Sequence, residues 1–196
     1  MTYTDAGRFL VGKEFNCTSQ WGEDGLIAAI FGKIGAVNRW CFEVGAADGL
    51  IYSNTLSLRS NGWAAVLIEA DEYQYGRLTY FESAKVRCVR ERVTGKNLDC
   101  ILAKHDAPRD LDLGVIDVDG PDYWVWHGMR EYKPRVMIVE FSPDHLHPAE
   151  HICKDDKATA EDQSGEAAIV ALGSDKGYVH LGSTGYNSLF VRSDCL

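Results

Sequence analysis

The stretch CFEVGAADG, Cys41–Gly49, decides the fold. It begins as an apolar run typical of a β-strand and passes into a short acidic turn bracketed by glycines. The segment SNTLSL at residues 53–58 then resembles a helix start, and a second apolar run, WAAVLIEAD at residues 63–71, carries Glu69 near its end. Glu69 follows Gly49 by twenty residues. This order predicts a Rossmann-like unit in which the carboxylate accepts hydrogen bonds from the ribose of a nucleoside.

Charge in the turn favours one class of nucleoside. A dinucleotide turn has the pattern G-x-G-x-x-G without acids, because its N–H groups and the helix N-terminus meet a pyrophosphate. Here Gly45 and Gly49 are four residues apart and Ala47 replaces the middle glycine. Glu43 and Asp48 add two carboxylates, which repel a pyrophosphate and attract a cation. The turn therefore favours S-adenosylmethionine, which is cationic and carries no phosphate; a strand-to-helix turn without a ligand is the alternative.

Composition narrows the class of partner. The chain has 196 residues, 45% of them hydrophobic, which suffices for one domain over residues 1–196 with a sizeable core. Its net charge is −9, from 20 basic and 29 acidic residues, and no basic run occurs. Nucleic-acid binding depends on clustered basic residues, so we expect no nucleic-acid partner. A small molecule or a glycan is the expected acceptor.

The location of the protein and the redox state of its cysteines are predicted from patterns that the sequence does not contain. Residues 1–10 do not combine a basic region with a long apolar one, and no apolar run approaches the roughly 20 residues of a membrane span. The six cysteines are scattered and form no C-x-x-C pair. Reduced thiols are therefore expected rather than zinc ligands. We predict a cytoplasmic protein with no membrane partner; a homo-oligomer stays open.

The remaining pattern alternates helices and strands, which predicts a Rossmann-like, doubly wound α/β sheet of seven strands closed by a terminal hairpin. The polar stretch at residues 142–165 has little periodicity, and a long segment of this kind predicts a lid or acceptor loop. The expected helices are residues 23–36, 53–61, 71–83, 97–104, 121–132 and 166–172, and the expected strands are residues 40–44, 64–68, 86–93, 113–118, 135–141, 178–181 and 188–192.

Six segments, in order, resemble the FkbM-like family of class I S-adenosylmethionine-dependent methyltransferases. The resemblance covers most of the chain. It implies a mostly parallel sheet of seven strands with an antiparallel last strand, and O-methylation of a hydroxyl on a sugar, a glycan precursor or a natural product. The segments are SQWGEDG (residues 19–25), FEVGAADG with YSNT (42–55), GWAAVLIEAD (62–71), VIDVDGPDYW (115–124), PRVMIVEF (134–141) and GYNSLFVRSD (185–194).

The resemblance implies which residues hold the cofactor. The acidic turn would cradle the methionine moiety and the sulfonium, Glu69 would bind the ribose diol, and Ala70 and Asp71 would border the adenosine. Residues 91–94, where adenine contacts are usual, match the family poorly, and those contacts stay open. The complete expected set is Gln20, Asp24, Glu43, Gly45, Ala46, Asp48, Gly49, Ser53, Asn54, Glu69, Ala70, Asp71, Asp117 and Val118.

A hydroxyl acceptor must lose a proton when it is methylated, so a carboxylate or a histidine should stand near the methyl group. Asp119 is the first candidate for this base, followed by Glu140 and His145, and the first two lie where strands end. Each has a structural alternative. Asp119 could cap the helix that begins at Pro121, Glu140 could pair with a basic side chain, and His145 could be a solvated loop residue.

Three further interpretations stay open. Asp117, Asp119, Glu140 and the loop histidines could converge on a divalent cation, which we do not favour because no compact ligand motif is present. The sequence IDVDG at residues 116–120 could be the nucleophile motif of a haloacid-dehalogenase-like phosphatase, although its usual threonine is Pro121 here. The chain could also be a non-catalytic S-adenosylmethionine-binding module.

Overall fold

The computed structural model describes residues 1–143 and 146–196, which form eight strands and six α-helices. Short 3-10 turns occupy Arg8–Leu10, Thr79–Phe81, Ala160–Asp162 and Ser193–Cys195. The strands are β1 (Thr2–Tyr3), β2 (Trp40–Val44), β3 (Ala64–Glu69), β4 (Val86–Arg90), β5 (Leu113–Ile116), β6 (Val136–Glu140), β7 (Tyr178–Ser183) and β8 (Asn187–Arg192). The helices are α1 (Glu23–Ile34), α2 (Leu56–Ser60), α3 (Glu72–Leu78), α4 (Leu98–Lys104), α5 (Asp122–Gly128) and α6 (Glu166–Asp175).

The strands form one sheet in the order β1-β7-β8-β6-β5-β2-β3-β4. The five strands from β6 to β4 are parallel to one another. The last strand, β8, is inserted between β6 and β7 and is antiparallel to both. This arrangement confirms the predicted α/β fold with a mostly parallel sheet, an antiparallel last strand and a terminal hairpin.

The predicted number of strands is wrong, because the sheet has eight strands rather than seven. The additional strand, β1, pairs antiparallel with β7 through Thr2 opposite Ser183 and Tyr3 opposite Gly182. A strand of two residues is too short to show apolar alternation in the sequence. It forms because β7 would otherwise present an unpaired edge of N–H and C=O groups.

Helices cover both faces of the sheet. Helices α1, α2 and α3 pack on one apolar cluster, and α4, α5 and α6 pack on the other. The strands contribute alternate residues to the two clusters, so that Cys41 joins the first cluster and Phe42 joins the second. Within the described part of the chain, no helix has the length and apolar character needed to cross a membrane.

Helix α5 ends at Gly128, earlier than its apolar pattern predicts. The following N–H groups, of Arg130 and Glu131, donate to the carboxylate of Asp99 on α4, at 2.9 and 3.0 Å. Gly128 itself lies against Gly95, where an added Cβ would stand 1.9 Å from the Gly95 carbonyl oxygen. The chain therefore leaves the helix where tertiary partners replace its internal hydrogen bonds.

Candidate active site

A cleft of about 650 Å³ opens at the carboxyl ends of the parallel strands. Residues that follow β2, β3, β4, β5 and β6 all contribute to its wall. In open α/β sheets this is the edge at which ligands bind, because neighbouring loops diverge there. The tip of the β7–β8 hairpin and the segment before α1 close the cleft on its other side, through Tyr186 and through Gln20 and Trp21.

The turn after β2 requires glycine. Gly45 has φ +77°, and an added Cβ would stand 1.6 Å from the carbonyl oxygen of Asp117. The N–H groups of Gly45 and Ala46 both donate to the carbonyl of Ile68, at 2.9 and 3.1 Å. The turn is therefore pressed between β3 and β5, and its first two N–H groups are already bonded within the protein.

Glu43 is 3% exposed at the end of β2 and anchors the segment before α2. Its carboxylate accepts hydrogen bonds from the Ser53 hydroxyl at 2.8 Å, the Thr55 hydroxyl at 2.6 Å and the Asn54 N–H at 2.8 Å. Burial raises the pKa of Glu43, although these donors and Arg59 oppose the shift. Glu43 thus lines the cleft with both oxygens engaged.

Arg59 supports the same segment and was not recognised in the sequence. Its guanidinium is buried and donates to the Gly49 carbonyl at 2.6 Å and to the hydroxyls of Thr55 and Ser53 at 3.1 and 3.2 Å. It also lies 4.8 Å from the centre of the Phe81 ring. The long side chain of Arg59 reaches from α2 to the turn and so joins these groups. The local sequence around Arg59 does not distinguish it from any other arginine in a helix.

Asp48 turns away from the cleft. Its carboxylate accepts the N–H groups of Leu50 and Ile51 at 3.0 and 2.9 Å and pairs with Arg77 at 2.7 Å. Burial alone would raise the pKa of Asp48, but the two N–H groups and Arg77 lower it below its usual value. The carboxylate therefore shapes the turn and is not part of the cleft wall.

Glu69 lies at the cleft, at the end of β3. One carboxylate oxygen accepts the N–H of Ala47 at 2.8 Å and the other accepts the N–H of Asp71 at 2.7 Å. These bonds fix the carboxyl group across the mouth of the turn and leave lone pairs for a diol. Asp71 itself is exposed and caps α3 by accepting the Gln74 N–H at 2.9 Å.

The segment before α1 is folded over the cleft by Asp24. One oxygen of this carboxylate accepts the N–H groups of Cys17, Thr18 and Ser19 at 2.9, 2.8 and 2.8 Å. The Thr18 hydroxyl then donates to the carbonyl of Ser53 at 3.0 Å. Asp24 is thus set back from the cleft, and its bonds place Gln20 in the cleft wall.

Three carboxyls gather where β5 and β6 end: Asp122 is fully buried, and Asp117 and Glu140 are partly buried in the cleft wall. The Gln163 amide donates to Glu140 at 2.5 Å and to Asp122 at 3.4 Å. Burial, followed by repulsion from Asp122, raises the pKa of Asp117 to about 8. Burial and the charge of Asp117 likewise raise the pKa of Glu140. The pair therefore retains a proton near neutral pH.

Asp119 projects from the turn between β5 and α5. Its φ of +52° is left-handed, and its side chain is exposed at the cleft. The turn is held by Asp122, which accepts the N–H groups of Val118 and Gly120 at 2.8 and 3.0 Å. The N-cap position of α5 is Pro121 and makes no side-chain bond, so Asp119 does not cap the helix.

Nine of the fourteen residues expected to hold a cofactor line the cleft. The other five lie behind its wall and hold the wall in place or cap a helix. His145 lies outside the described residues. The nine are Gln20, Glu43, Gly45, Ala46, Ser53, Glu69, Ala70, Asp117 and Val118, and the five are Asp24, Asp48, Gly49, Asn54 and Asp71.

Several lining residues escaped the sequence interpretation. Trp21 and Tyr52 sit within segments that resemble the family, but an aromatic residue in a loop gives no sign of which way it faces. Tyr186 follows a glycine in the hairpin and reads as an ordinary turn residue. The complete set of missed lining residues is Trp21, Val44, Ala47, Ile51, Tyr52, Ile68, Gln74, Glu91, Arg92, Val93, Pro121 and Tyr186.

His147 and His151 both bond within the loop. His147 contacts the Ser142 hydroxyl at 2.8 Å, and His151 contacts Asp162 at 2.7 Å, with the two imidazoles stacked 5.0 Å apart. Glu140 contacts Gln163 and Asp117 rather than a basic side chain. Across residues 1–143 and 146–196, no three acidic, histidine or cysteine side chains converge as metal ligands.

Comparisons with known proteins identify the fold. A candidate O-methyltransferase from Klebsiella pneumoniae superposes with a TM-score of 0.56 at 16% identity, over 91% of this chain and 84% of that chain. Magnesium protoporphyrin IX methyltransferase from Synechocystis PCC 6803 with bound S-adenosylmethionine gives 0.53 at 16% identity, over 87% and 78%. The fold is that of class I methyltransferases.

A third similar structure is a candidate sarcosine dimethylglycine methyltransferase from Galdieria sulphuraria, with a TM-score of 0.54 and 15% identity over 81% of this chain. The chain spans 62% of that protein's length. No protein-family profile matches the chain. No curated protein matches it by sequence. The similarity is therefore one of fold.

Proposed function

We propose that this protein is an S-adenosylmethionine-dependent methyltransferase of FkbM-like type, which O-methylates a hydroxyl on a sugar, a glycan precursor or a natural product. The observation that carries the proposal is the bonding of the turn after β2. The N–H groups of Gly45 and Ala46 are both engaged by Ile68, so they are not available to a pyrophosphate. Glu43 and Glu69 flank the same turn, which suits a cationic cofactor with a ribose diol.

The nine lining residues named above would contact the cofactor, and the other five would act by shaping the wall. Bound S-adenosylmethionine would supply an electrophilic methyl group on a sulfonium. Glu69 would bind the ribose diol, because its carboxylate is fixed at the cleft with lone pairs to spare. Gly45 has no side chain and Ala46 has only a methyl group, so the cofactor would be able to lie close against the backbone of the turn.

Asp119 would act as the base. Bound S-adenosylmethionine would supply the methyl group, and the Asp119 carboxylate would take up the proton that the acceptor hydroxyl loses when it is methylated. Most of the rate gain would come from holding the acceptor oxygen about 3 Å from the methyl carbon. Glu140 is a poorer base near neutral pH, because the pair that it forms with Asp117 already retains a proton.

The loop at residues 142–165 would cover the acceptor. Its two ends are joined, because the Ser142 N–H donates to the Ser164 carbonyl at 2.7 Å and Ser142 forms a bridge with Gly165. From this closed loop Gln163 reaches Glu140 at 2.5 Å. A lid anchored at the cleft through one amide could open without unfolding the sheet. The cytoplasmic location stays a prediction.

The test is a thermal-shift titration with S-adenosylhomocysteine and, in parallel, NAD. A ligand that binds only the native state adds about 2.7 kcal/mol of stability at a hundredfold excess over its dissociation constant. We expect a saturable shift with S-adenosylhomocysteine and none with NAD. The reverse result, or no shift in protein shown by mass spectrometry to be ligand-free, would reject the proposal.

Turnover separates an enzyme from a binding module. The purified protein is incubated with S-adenosylmethionine labelled in its methyl group and with pooled sugars and aryl hydroxyl compounds. Transfer of label to an acceptor, with release of S-adenosylhomocysteine, supports the enzyme. Saturable cofactor binding without transfer would favour the non-catalytic module, and magnesium-dependent hydrolysis of an aryl phosphate would favour the phosphatase.

A further inference from the structure

The sheet order divides the cleft into two halves. Glu69 ends β3 and Glu91 follows β4, on one side of β2. Glu140 ends β6, and Tyr186 precedes β8, on the other side. If the cofactor lies over β2 and β3 and meets the β5 side only through Asp117 and Val118, the rest of the half over β5, β6 and β8 is left for the acceptor. This inference therefore rests on the proposed function.

An aromatic pair stands over the acceptor half. The rings of Trp21 and Tyr186 have centroids 6.0 Å apart, at an interplanar angle of 42°. Gly185 lies against the indole, since an added Cβ would stand 2.9 Å from the Trp21 ring. Tyr186 is held beside the end of β6, because its carbonyl accepts the Phe141 N–H at 2.8 Å. The pair therefore lies beside the end of β6, in the half of the cleft that also contains the proposed base, Asp119.

A buried carboxylate fixes this pair. Glu23 is fully buried, and one of its oxygens accepts the backbone N–H of Trp21 at 2.7 Å. Its other oxygen accepts the Thr184 hydroxyl at 2.7 Å and the Asn187 amide at 3.1 Å. Thr184 and Asn187 flank Tyr186 in the hairpin. A single side chain thus joins the two segments that carry the aromatic rings, so their relative position is preset before any ligand binds.

Tyr52 contributes a third ring to the cleft wall. It is 60% exposed, lines the cleft and has a left-handed φ of +61°. For a bulky residue this conformation costs free energy, and such strain concentrates at functional sites. Ala47 and Asp119, which also line the cleft, share the left-handed conformation. The segment before α1 is tied to the residue after Tyr52 by the Thr18 bond described above, so Trp21 and Tyr52 are carried by connected segments.

The charge of the wall limits what these rings can bind. Its carboxyl-bearing residues are Glu43, Glu69, Glu91, Asp117, Asp119 and Glu140, and its one described lysine or arginine is Arg92. Arg92 follows β4, in the cofactor half. An anionic acceptor would face Asp119 and the Asp117–Glu140 pair without a compensating cation. Aromatic faces, in turn, attract C–H groups and cations.

We infer that Trp21, Tyr52 and Tyr186 form an acceptor subsite that binds a ring by its flat apolar face and selects against negative charge on that ring. Glu23 acts as a positioning residue for the subsite. Both an aryl alcohol and a sugar ring present such a face. Their shared chemistry is a neutral or cationic ring that carries the hydroxyl to be methylated.

Two charge series test the inference. Tyramine, tyrosol and 4-hydroxyphenylacetate share a phenol ring with a positive, neutral or negative substituent; glucosamine, methyl glucoside and glucuronate do the same for a sugar. Binding at millimolar concentration is measured by saturation-transfer NMR, with and without saturating S-adenosylhomocysteine. We expect the neutral and cationic members of at least one series to bind, and the anionic member to bind at least tenfold more weakly. The series that binds identifies the ring.

Variants locate the binding. Trp21→Ala and Tyr186→Ala should weaken ring binding at least fivefold while the affinity for S-adenosylhomocysteine stays unchanged. Tyr52→Gly should do the same without lowering the thermal midpoint, since glycine accepts the left-handed backbone. Tyr80→Ala is the matched control, because Tyr80 is 89% exposed and outside the cleft wall. Glu23→Gln should raise KM for the ring more than it lowers kcat.

Three results would overturn the inference: no ring of either series binds, the anionic rings bind as tightly as the others, or the three aromatic variants bind rings like Tyr80→Ala. Failure of the proposed function has a different signature. If only the proposed function is wrong, S-adenosylhomocysteine does not bind, but the anionic rings still bind more weakly than the others and the aromatic variants still weaken ring binding. That result would support the ring-binding subsite without the cofactor.

Discussion

At the scale of single residues, the position of Asp119 depends on Asp122, which does not line the cleft. Asp122 is fully buried and accepts the N–H groups on both sides of Asp119, which holds the turn in a left-handed conformation. Burial raises the pKa of Asp122 to about 6, although these donors oppose the shift. A buried acid can be kept in such a place only if its hydrogen bonds are complete. The proposed base is thus aimed by backbone geometry.

Asp119→Asn should abolish most turnover and leave the fold intact. Asparagine accepts a left-handed backbone about as well as aspartate, so the turn is preserved. Loss of a general base lowers kcat by about 10²–10⁴-fold. Initial rates with a labelled methyl donor measure the effect, with affinity for S-adenosylhomocysteine and the thermal midpoint as controls. Activity equal to wild type would remove Asp119 as the base.

Glu69→Ala should weaken cofactor binding at least about tenfold, which corresponds to about 1.4 kcal/mol. The variant also leaves the N–H groups of Ala47 and Asp71 without their acceptor, at a cost to stability of about 1 kcal/mol. Isothermal titration with S-adenosylhomocysteine separates the two effects. Glu131→Ala, at an exposed pair with Arg109 far from the cleft wall, serves as the control. If Glu69→Ala bound S-adenosylhomocysteine as tightly as the wild type, Glu69 would not be the residue that binds the ribose.

At the scale of elements, the turn after β2 sets how closely β2, β3 and β5 approach. Gly45 combines a left-handed φ with contact against the Asp117 carbonyl, so no other residue fits. Gly32, in the middle of α1, has nothing within 4 Å of an added Cβ. The same amino acid is thus required at one position and merely tolerated at the other.

Gly45→Ala should destabilise the protein by more than about 3 kcal/mol, because a left-handed alanine costs about 1–2 kcal/mol and the backbone clash adds to this. Gly32→Ala should instead stabilise the protein by about 0.5–1 kcal/mol, since alanine loses less conformational entropy in a helix. Urea unfolding of both variants measures the difference. Equal destabilisation by the two would show that the turn can relax.

At the scale of the whole molecule, the sheet brings together carboxyl groups that the chain keeps apart. Asp117 follows β5 and Glu140 ends the neighbouring β6, so folding places them side by side in the partly buried cleft wall. Their raised pKa values mean that the folded protein binds more protons than the unfolded chain above the usual carboxyl range. The cost of this burial belongs to the fold as a whole and is recovered by packing elsewhere.

Stability should therefore fall as the pH rises. For a carboxyl with a raised pKa, the stabilising contribution is complete below the unfolded value of 3.8 and is lost as the pH passes the folded value, about 8 for Asp117. Urea unfolding between about pH 5 and pH 9 measures the trend. Burial lowers the pKa of His180, and this shift makes stability rise with pH, opposite to the effect of Asp117. The contribution of Asp117 is therefore obtained by comparing the wild type with Asp117→Asn. A slope unchanged in Asp117→Asn would contradict the assignment.

How well a feature can be predicted from the sequence depends on how far apart along the chain the interacting residues lie. Strand β2 has the predicted bounds, because a short apolar run that ends in a glycine turn is a local pattern. Helix α3 stops at Leu78 and not at the predicted residue 83, and Tyr73 in its first turn is 72% exposed. In so short a helix, a small rotation about its axis moves a side chain from core to solvent.

The sequence by itself determined the α/β order of the elements, the glycine turn after β2 and the terminal hairpin, since each depends on periodicity or on backbone conformation within a few residues. Only the tertiary structure decided which carboxylates face the cleft. Glu23 meets Thr184 across 161 positions, and Asp112 accepts the N–H of Val37 across 75. Partners at such separations leave no local pattern, because their pairing depends on how the sheet closes.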